Sequence, residues 1–194
     1  MTTKERPIIF GAESIRAILD GRKTQMRRVV KPQPTMCADD PWGRQHWRWE
    51  IPYNLYSSVN ERSLVEALIR HSPYPVGSRW WVRETWCMTG AGCVLHKADH
   101  KTEQPYWATL KWNAAITMPR WASRITLEVT GLTAERAWEI SYVDTVAEGY
   151  PDPNHPYNAR VWHAALWDTI NARRGYPWIS NPWVWSTRVR RVQE

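Results

Sequence analysis

The chain has 194 residues, enough for one domain that buries an apolar core without disulfide or metal staples. Hydrophobic residues at 43% and charged residues at 23% exclude wholesale disorder, and no apolar run approaches the roughly 18 residues that span a bilayer. The formal net charge of +7, from 26 Lys and Arg against 19 Asp and Glu, points to an anionic partner and away from a membrane-spanning role.

Pro7 to Phe10 predicts a short strand. A helix from Ser14 to Asp20 follows, with Ile15, Ile18 and Leu19 on one face and Gly21 as its stop. Lys23 to Val30 predicts an extended segment that Lys31-Pro32-Gln33-Pro34 ends. Residues 21–34 contain five basic side chains and no acid, so much of the positive field sits here. Residues 35–75 read as an irregular, polar insertion with one helical stretch from Glu61 to Arg70, carried by Leu64, Leu68 and Ile69.

Val76-Gly77-Ser78 predicts a turn into a strand from Arg79 to Trp86. Two-residue alternation puts Trp80, Val82, Glu84 and Trp86 on one face. A carboxylate on an apolar face needs a partner. For Glu84 that partner is either an arginine of the 22–28 segment or a ligand. Residues 88–115 read as a second long loop or insertion. Arg124 to Gly131 alternates Ile125, Leu127 and Val129 with polar residues and predicts a strand. Ser141 followed by Asp144 is a helix-start signal, and that helix runs to Gly149. Asn158 to Arg174 predicts a longer helix with Trp162, Ala165, Leu166, Thr169 and Ile170 buried, closed by Gly175. Trp183 to Val189 predicts a last strand. The whole implies a single α+β domain over residues 1–194, its sheet curled into a small barrel flanked by helices.

No glycine-rich phosphate loop, nucleophile elbow or His-Glu-x-x-His is present, so no cofactor is expected. Cys87, Cys93, His96 and His100 are the ligand types zinc uses, but at a spacing foreign to zinc sites, so no metal is assigned. Three cysteines, Cys37 among them, give no disulfide framework, and Met1 to Pro7 lacks an apolar signal core; both features point to the cytoplasm. The 15 Trp and 8 Tyr stand against a single Phe, although Phe would share in plain core filling. Several Trp are therefore expected at a surface cleft as stacking faces, with most of them structural.

The strongest signal is Ile18-Leu19-Asp20-Gly21-Arg22-Lys23-Thr24-Gln25-Met26-Arg27-Arg28, in which a helix stop delivers Arg, Lys and Thr together to the start of a strand. With the Gly77…Arg79 to Thr85 strand, Met118-Pro119-Arg120-Trp121-Ala122-Ser123-Arg124-Ile125 and Asn181-Pro182-Trp183-Val184-Trp185, it resembles phage and prophage proteins of the ASCH-domain family, in the PUA-like superfamily. The resemblance spans the chain from Pro7 onward except residues 35–75 and 88–115. It implies a PUA-like barrel, a role in binding RNA or handling nucleotides, and a place in the cytoplasm of a bacterial host. One branch of the family is an amidohydrolase on N-acetylated cytidine, and another is reported to cleave RNA. Carried over, the family's lysine falls on Lys23 and its helix glutamate on Glu148, while its threonine position holds Met26; Thr24 is the nearby hydroxyl. A thioether is no nucleophile for an amide, which sets the amidohydrolase chemistry in question.

The expectations are therefore three. The first is nucleic-acid binding, to single-stranded RNA before DNA, or nucleotide binding, with Lys23, Arg22 and Arg28 on phosphate, Trp81 and Trp121 as stacking faces, Glu84 on a base edge or an arginine, and Arg120 and Arg124 as further nucleic-acid contacts. The second is a hydrolase, ribonuclease or amidohydrolase, using Lys23, Glu148 and Thr24. The third is a phage protein that docks on a host or virion protein through exposed tryptophans.

Overall fold

A computed structural model describes residues 5–38, 44–51, 54–58, 60–100 and 109–192. Five strands form the main sheet: β1 (Arg6–Ile9), β2 (Gln25–Val29), β6 (Arg79–Arg83), β9 (Thr126–Arg136) and β10 (Trp183–Val192), in the spatial order β1-β6-β9-β10-β2. The β1–β6 pair is parallel and the other three pairs are antiparallel. Helix α1 (Ala12–Leu19) connects the two edge strands, β1 and β2. It buries Ile15, Ala17 and Ile18, and Gly21 leaves it at φ 73°, a conformation that favours glycine.

The sheet does not close by strand pairing among the described residues, so the expected barrel is realised only as an open α+β sheet. Its two edges meet through a side chain instead. The Arg28 Nη2 of β2 donates to the Ile9 carbonyl of β1 at 2.9 Å, with its guanidinium 5.2 Å from the centre of the Phe10 ring.

Residues 35–75 are not irregular. Strands β3 (Thr35–Cys37), β4 (His46–Ile51) and β5 (Asn54–Ser58) form an antiparallel sheet, and α2 (Glu61–Arg70) follows with Asn60 accepting from the Ser63 N–H at its start. Alternation in β4 turns Trp47 and Trp49 inward, where they pack with Leu64 and Leu68 of α2 and with Trp183 and Trp185 of β10. The segment is thus a second layer over one face of the main sheet. Residues 88–115 likewise contain structure: β7 (Trp86–Met88) and β8 (Val94–His96) pair as a hairpin. That hairpin takes Trp86, so β6 ends at Arg83, earlier than its alternation suggests.

On the other face, Val184 packs against Ala137 and Trp167. Trp167 belongs to α4 (Ala159–Asn171), which follows α3 (Tyr142–Ala147). The start of α3 is the expected one: Ser141 and Asp144 form a reciprocal capping box. The buried stripe of α4 is not. It is Ala159, His163 and Trp167, whereas Ala165, Thr169 and Ile170 are exposed. The rings of Trp167, tilted, and Trp178, edge-on, pack against His163 and accompany this rotation, which apolar periodicity alone misses. A third core joins Ile8, Phe10, Ile15, Ile18, Met26, Trp80, Val82, Leu127 and Val189 between α1 and the sheet. Among the described residues no helix is long and apolar enough to cross a membrane.

Candidate functional site: a buried charge cluster beside a basic edge strand

The segment leading into β2 is placed from both sides. The Lys23 N–H donates to Ala17 O and the Thr24 N–H to Ala147 O, so the ends of α1 and α3 clasp it. Lys23 then turns inward. Its Nζ donates to Glu148 Oε2 at 2.6 Å and to the Glu148 carbonyl at 2.8 Å, and both side chains are only 5% exposed. Gly149 makes this approach possible. It sits at φ 99°, and a Cβ there would come within 3.0 Å of the Ala17 Cβ and 3.4 Å of the Lys23 Cβ.

Two residues into β2, Arg27 projects into the same cluster. Its guanidinium donates to Glu148 Oε1 at 3.2 Å, to Glu135 Oε1 at 2.6 Å and 2.9 Å, and lies 3.5 Å from Asp144 Oδ2. Gln25, between them, donates to the Ser186 hydroxyl at 2.6 Å. Two cations thus meet three carboxylates. Burial pushes the Glu148 carboxyl up, but the charges of Lys23 and Arg27 outweigh it and hold the group below its ordinary value. Burial likewise opposes ionisation of Asp144, and hydrogen bonds from Ser141 with the charge of Arg27 overcome it.

His163 lies within electrostatic reach of this cluster. It is 3% exposed, and neither ring nitrogen has a hydrogen-bond partner among the described residues. Burial is the first cause that lowers its pKa to about 4, and Glu148 only partly opposes it. The ring is therefore neutral at pH 7, boxed by Trp162, Trp167 and Trp178.

The residues expected at the site fall into two groups in different parts of the fold. Lys23 and Glu148 do meet. Arg22 stands nearby, half-exposed, with its guanidinium on Asp20 at 3.0 Å and on the Gly149 carbonyl at 3.2 Å. Arg28 points to the opposite side of β2 from Arg27, onto Phe10. Thr24 is exposed and fixed through its backbone, its carbonyl accepting from the Val189 N–H. Met26 is a core residue at 2% exposure. Thr187, its partner across the β10–β2 ladder, is fully buried with its hydroxyl unpaired among the described residues.

The second group lies around β6 and β9. Glu84 is 2% exposed, and its partner is not an arginine of the 22–28 segment: Arg124 grips it with both Nε and Nη2, at 2.9 Å and 3.0 Å. Arg124 also binds Asp99, so its guanidinium is saturated. Arg120 donates to Glu5 at 2.7 Å and to Thr126 at 3.1 Å. Trp81 is buried at 7%, and the Arg83 guanidinium lies 4.7 Å from its ring centre, so it offers no open stacking face. Trp121 does, at 65% exposure, standing edge-on to Trp86. The cysteines and histidines do not converge: Cys87 is buried, Cys93 is exposed, and His96 Nε2 lies 3.0 Å from Ala122 O. No group of three His, Cys, Asp or Glu among the described residues is placed to hold a metal.

Arg27, Glu135, Asp144 and His163 are site residues that the sequence reading does not single out. Two-residue alternation from Lys23 through Gln25 would have found Arg27, and the i, i+4, i+8 stripe of Ala159, His163 and Trp167 would have found the histidine. Comparison with known proteins gives no matching family model, no matching curated protein and no matching solved structure.

Proposed function

We propose that this chain binds single-stranded nucleic acid, RNA before DNA, or a nucleotide, on an ASCH-like domain of PUA type. The supporting observation is Arg28. Strand β2 lies at an edge of the main sheet, and there Arg28 bridges to β1 with no carboxylate partner among the described residues. A cation set at the gap between two sheet edges, over an aromatic ring, is a receptor for phosphate. The PUA-type reading draws support from that gap, since the edges come within one side chain of each other. Localisation in a bacterial cytoplasm is part of the same proposal. Labelled single-stranded RNA tests it: retention should fall steeply with salt and should weaken in Arg28→Ala. Failure of the wild-type protein to retain RNA, single-stranded DNA or mononucleotide ends this reading.

A second reading, hydrolysis of a modified nucleoside or of RNA, is favoured by the Lys23–Glu148 contact across the fold. It ranks lower because both groups are engaged with each other. A carboxyl held below its ordinary value is also a weak base. With Met26 in the core, deacylation requires water as its nucleophile, whereas RNA supplies its own 2′-hydroxyl. Incubation with N-acetylated cytidine and with RNA decides it. Products that vanish in Lys23→Ala and Glu148→Gln support hydrolysis, and no product from the wild type excludes it.

A further inference from the structure

The end of β2 and the end of α4 come together, and both carry cations. Lys31 lies two residues past the end of β2, and its Nζ is 5.2 Å from the centre of the Tyr176 ring. Tyr176 is held in place by the helix: its N–H donates to Asn171 O and its carbonyl accepts from Trp167 Nε1. Between Asn171 and Tyr176, a 3-10 turn of Ala172–Arg174 presents Arg173 and Arg174, both exposed, before Gly175 reverses the chain at φ 87°. None of Lys31, Arg173 and Arg174 makes a side-chain hydrogen bond or ion pair with another described residue.

Arg28 lies at the sheet edge, on the opposite side of β2 from Arg27. Burial lowers its pKa first, Tyr74 and Glu148 oppose that, and the like charge of Arg174 adds to the lowering. Interaction with the helix dipole gives Arg173 and Arg174 a reason to stand at the end of α4. It gives no reason to bring Lys31, from a different element, onto Tyr176 beside them, where unneutralised like charges oppose one another. A polyanion removes that repulsion.

We infer that Lys31, Arg173 and Arg174 form a phosphate-binding rim that carries the backbone of single-stranded nucleic acid past Tyr176. The rim rests on the binding reading above and makes its ligand a polymer. It spans one strand end and one helix end, which suits a single backbone better than the two rails of a duplex. Phosphate contacts carry no base information, so the rim adds affinity without sequence preference.

The test compares the wild type with a Lys31→Ser/Arg173→Ser/Arg174→Ser variant, using anisotropy of a labelled oligouridylate and competition by uridine 5′-monophosphate. Loss of three phosphate contacts should weaken the oligomer at least tenfold at low salt. It should also flatten the slope of log K against log salt by about 2, at roughly 0.7 per contact on single strands. Mononucleotide binding and the melting temperature should be unchanged, and Arg174→Glu should weaken the oligomer more than Arg174→Ser. Equal oligomer binding by variant and wild type overturns the rim and leaves the binding reading standing. Equal loss of mononucleotide and oligomer also overturns it, because the three cations would then serve a single phosphate. Tighter wild-type binding of duplex than of single strand overturns the single-strand assignment, and no wild-type binding of either ligand overturns rim and reading together.

Discussion

Lys23 and Arg27 on one side, Arg28 and Lys31 on the other, come from the same short stretch of chain, yet they stand in opposite electrostatic conditions. The first two are buried among Glu148, Glu135 and Asp144 and spend their charge inside the molecule. The second two meet no carboxylate among the described residues and reach only a carbonyl and two aromatic rings. Strand alternation separates Arg28 from Arg27, since neighbouring residues face different layers, while Lys31 escapes the inner cluster because it lies past the end of β2. A basic segment is therefore not a uniform surface. Half of it can be fold, and only the remainder is available to a ligand.

The sharpest way to break this contrast is to remove an inner cation. Lys23→Met leaves Glu148 buried with one partner fewer, and should cost about 3–5 kcal/mol in urea unfolding, the scale for breaking a buried pair. A loss under about 1 kcal/mol would mean that the inner pair is solvated and belongs with the outer cations.

Acid titration probes the same cluster through His163. Its folded pKa of about 4 lies below the ordinary 6.5, so the unfolded chain binds the proton first. Above pH 6.5 both states are neutral and the fold has its full stability. As pH falls from 6.5 towards 4, about 3 kcal/mol should be lost, because each pH unit in that window costs about 1.4 kcal/mol. Below pH 4 the carboxylates Glu148 and Asp144, both lowered, extend the loss. His163→Phe should flatten the profile between pH 6.5 and 4 while leaving the lower limb.

Gly149→Ala tests the close approach that brings Lys23 to Glu148. Positive φ and a 3.0 Å contact with the Ala17 Cβ should together cost about 2 kcal/mol in thermal unfolding. The smallest effect belongs to the outer set: Lys31→Ser and Arg174→Ser should each change stability by less than about 0.5 kcal/mol.

Local rules read the parts of this fold that local chemistry decides. Ser141 with Asp144 announces α3, Gly21 and Gly175 announce helix ends, and the Ile125-Leu127-Val129 alternation announces β9. The Lys23–Glu148 contact is legible only through a family resemblance, because nothing local links residues on different elements. Residues 35–58 mislead because prolines, charges and small polar residues interrupt their apolar pattern, although Trp47 and Trp49 alternate as a half-buried strand does. Glu84 shows its need for a partner but not which arginine meets it, since β6 pairing with β9 delivers Arg124. Likewise, the sequence pattern rotates α4 wrongly because a buried histidine counts as polar in any apolar pattern.

Strand β10 has a consequence for how the molecule assembles. It lies between β9 and β2, with Val184 beside both Val29 and Glu135. Every other element of the main sheet is therefore synthesised before the strand that sits between them. Until Trp183–Val192 arrives, β2 has no neighbour in the ladder, and the indoles of Trp47 and Trp49 lack the Trp183 and Trp185 side chains they pack against. Such a sequence-distant closure slows folding and leaves apolar strand surface exposed in the nascent chain, where a chaperone would find it.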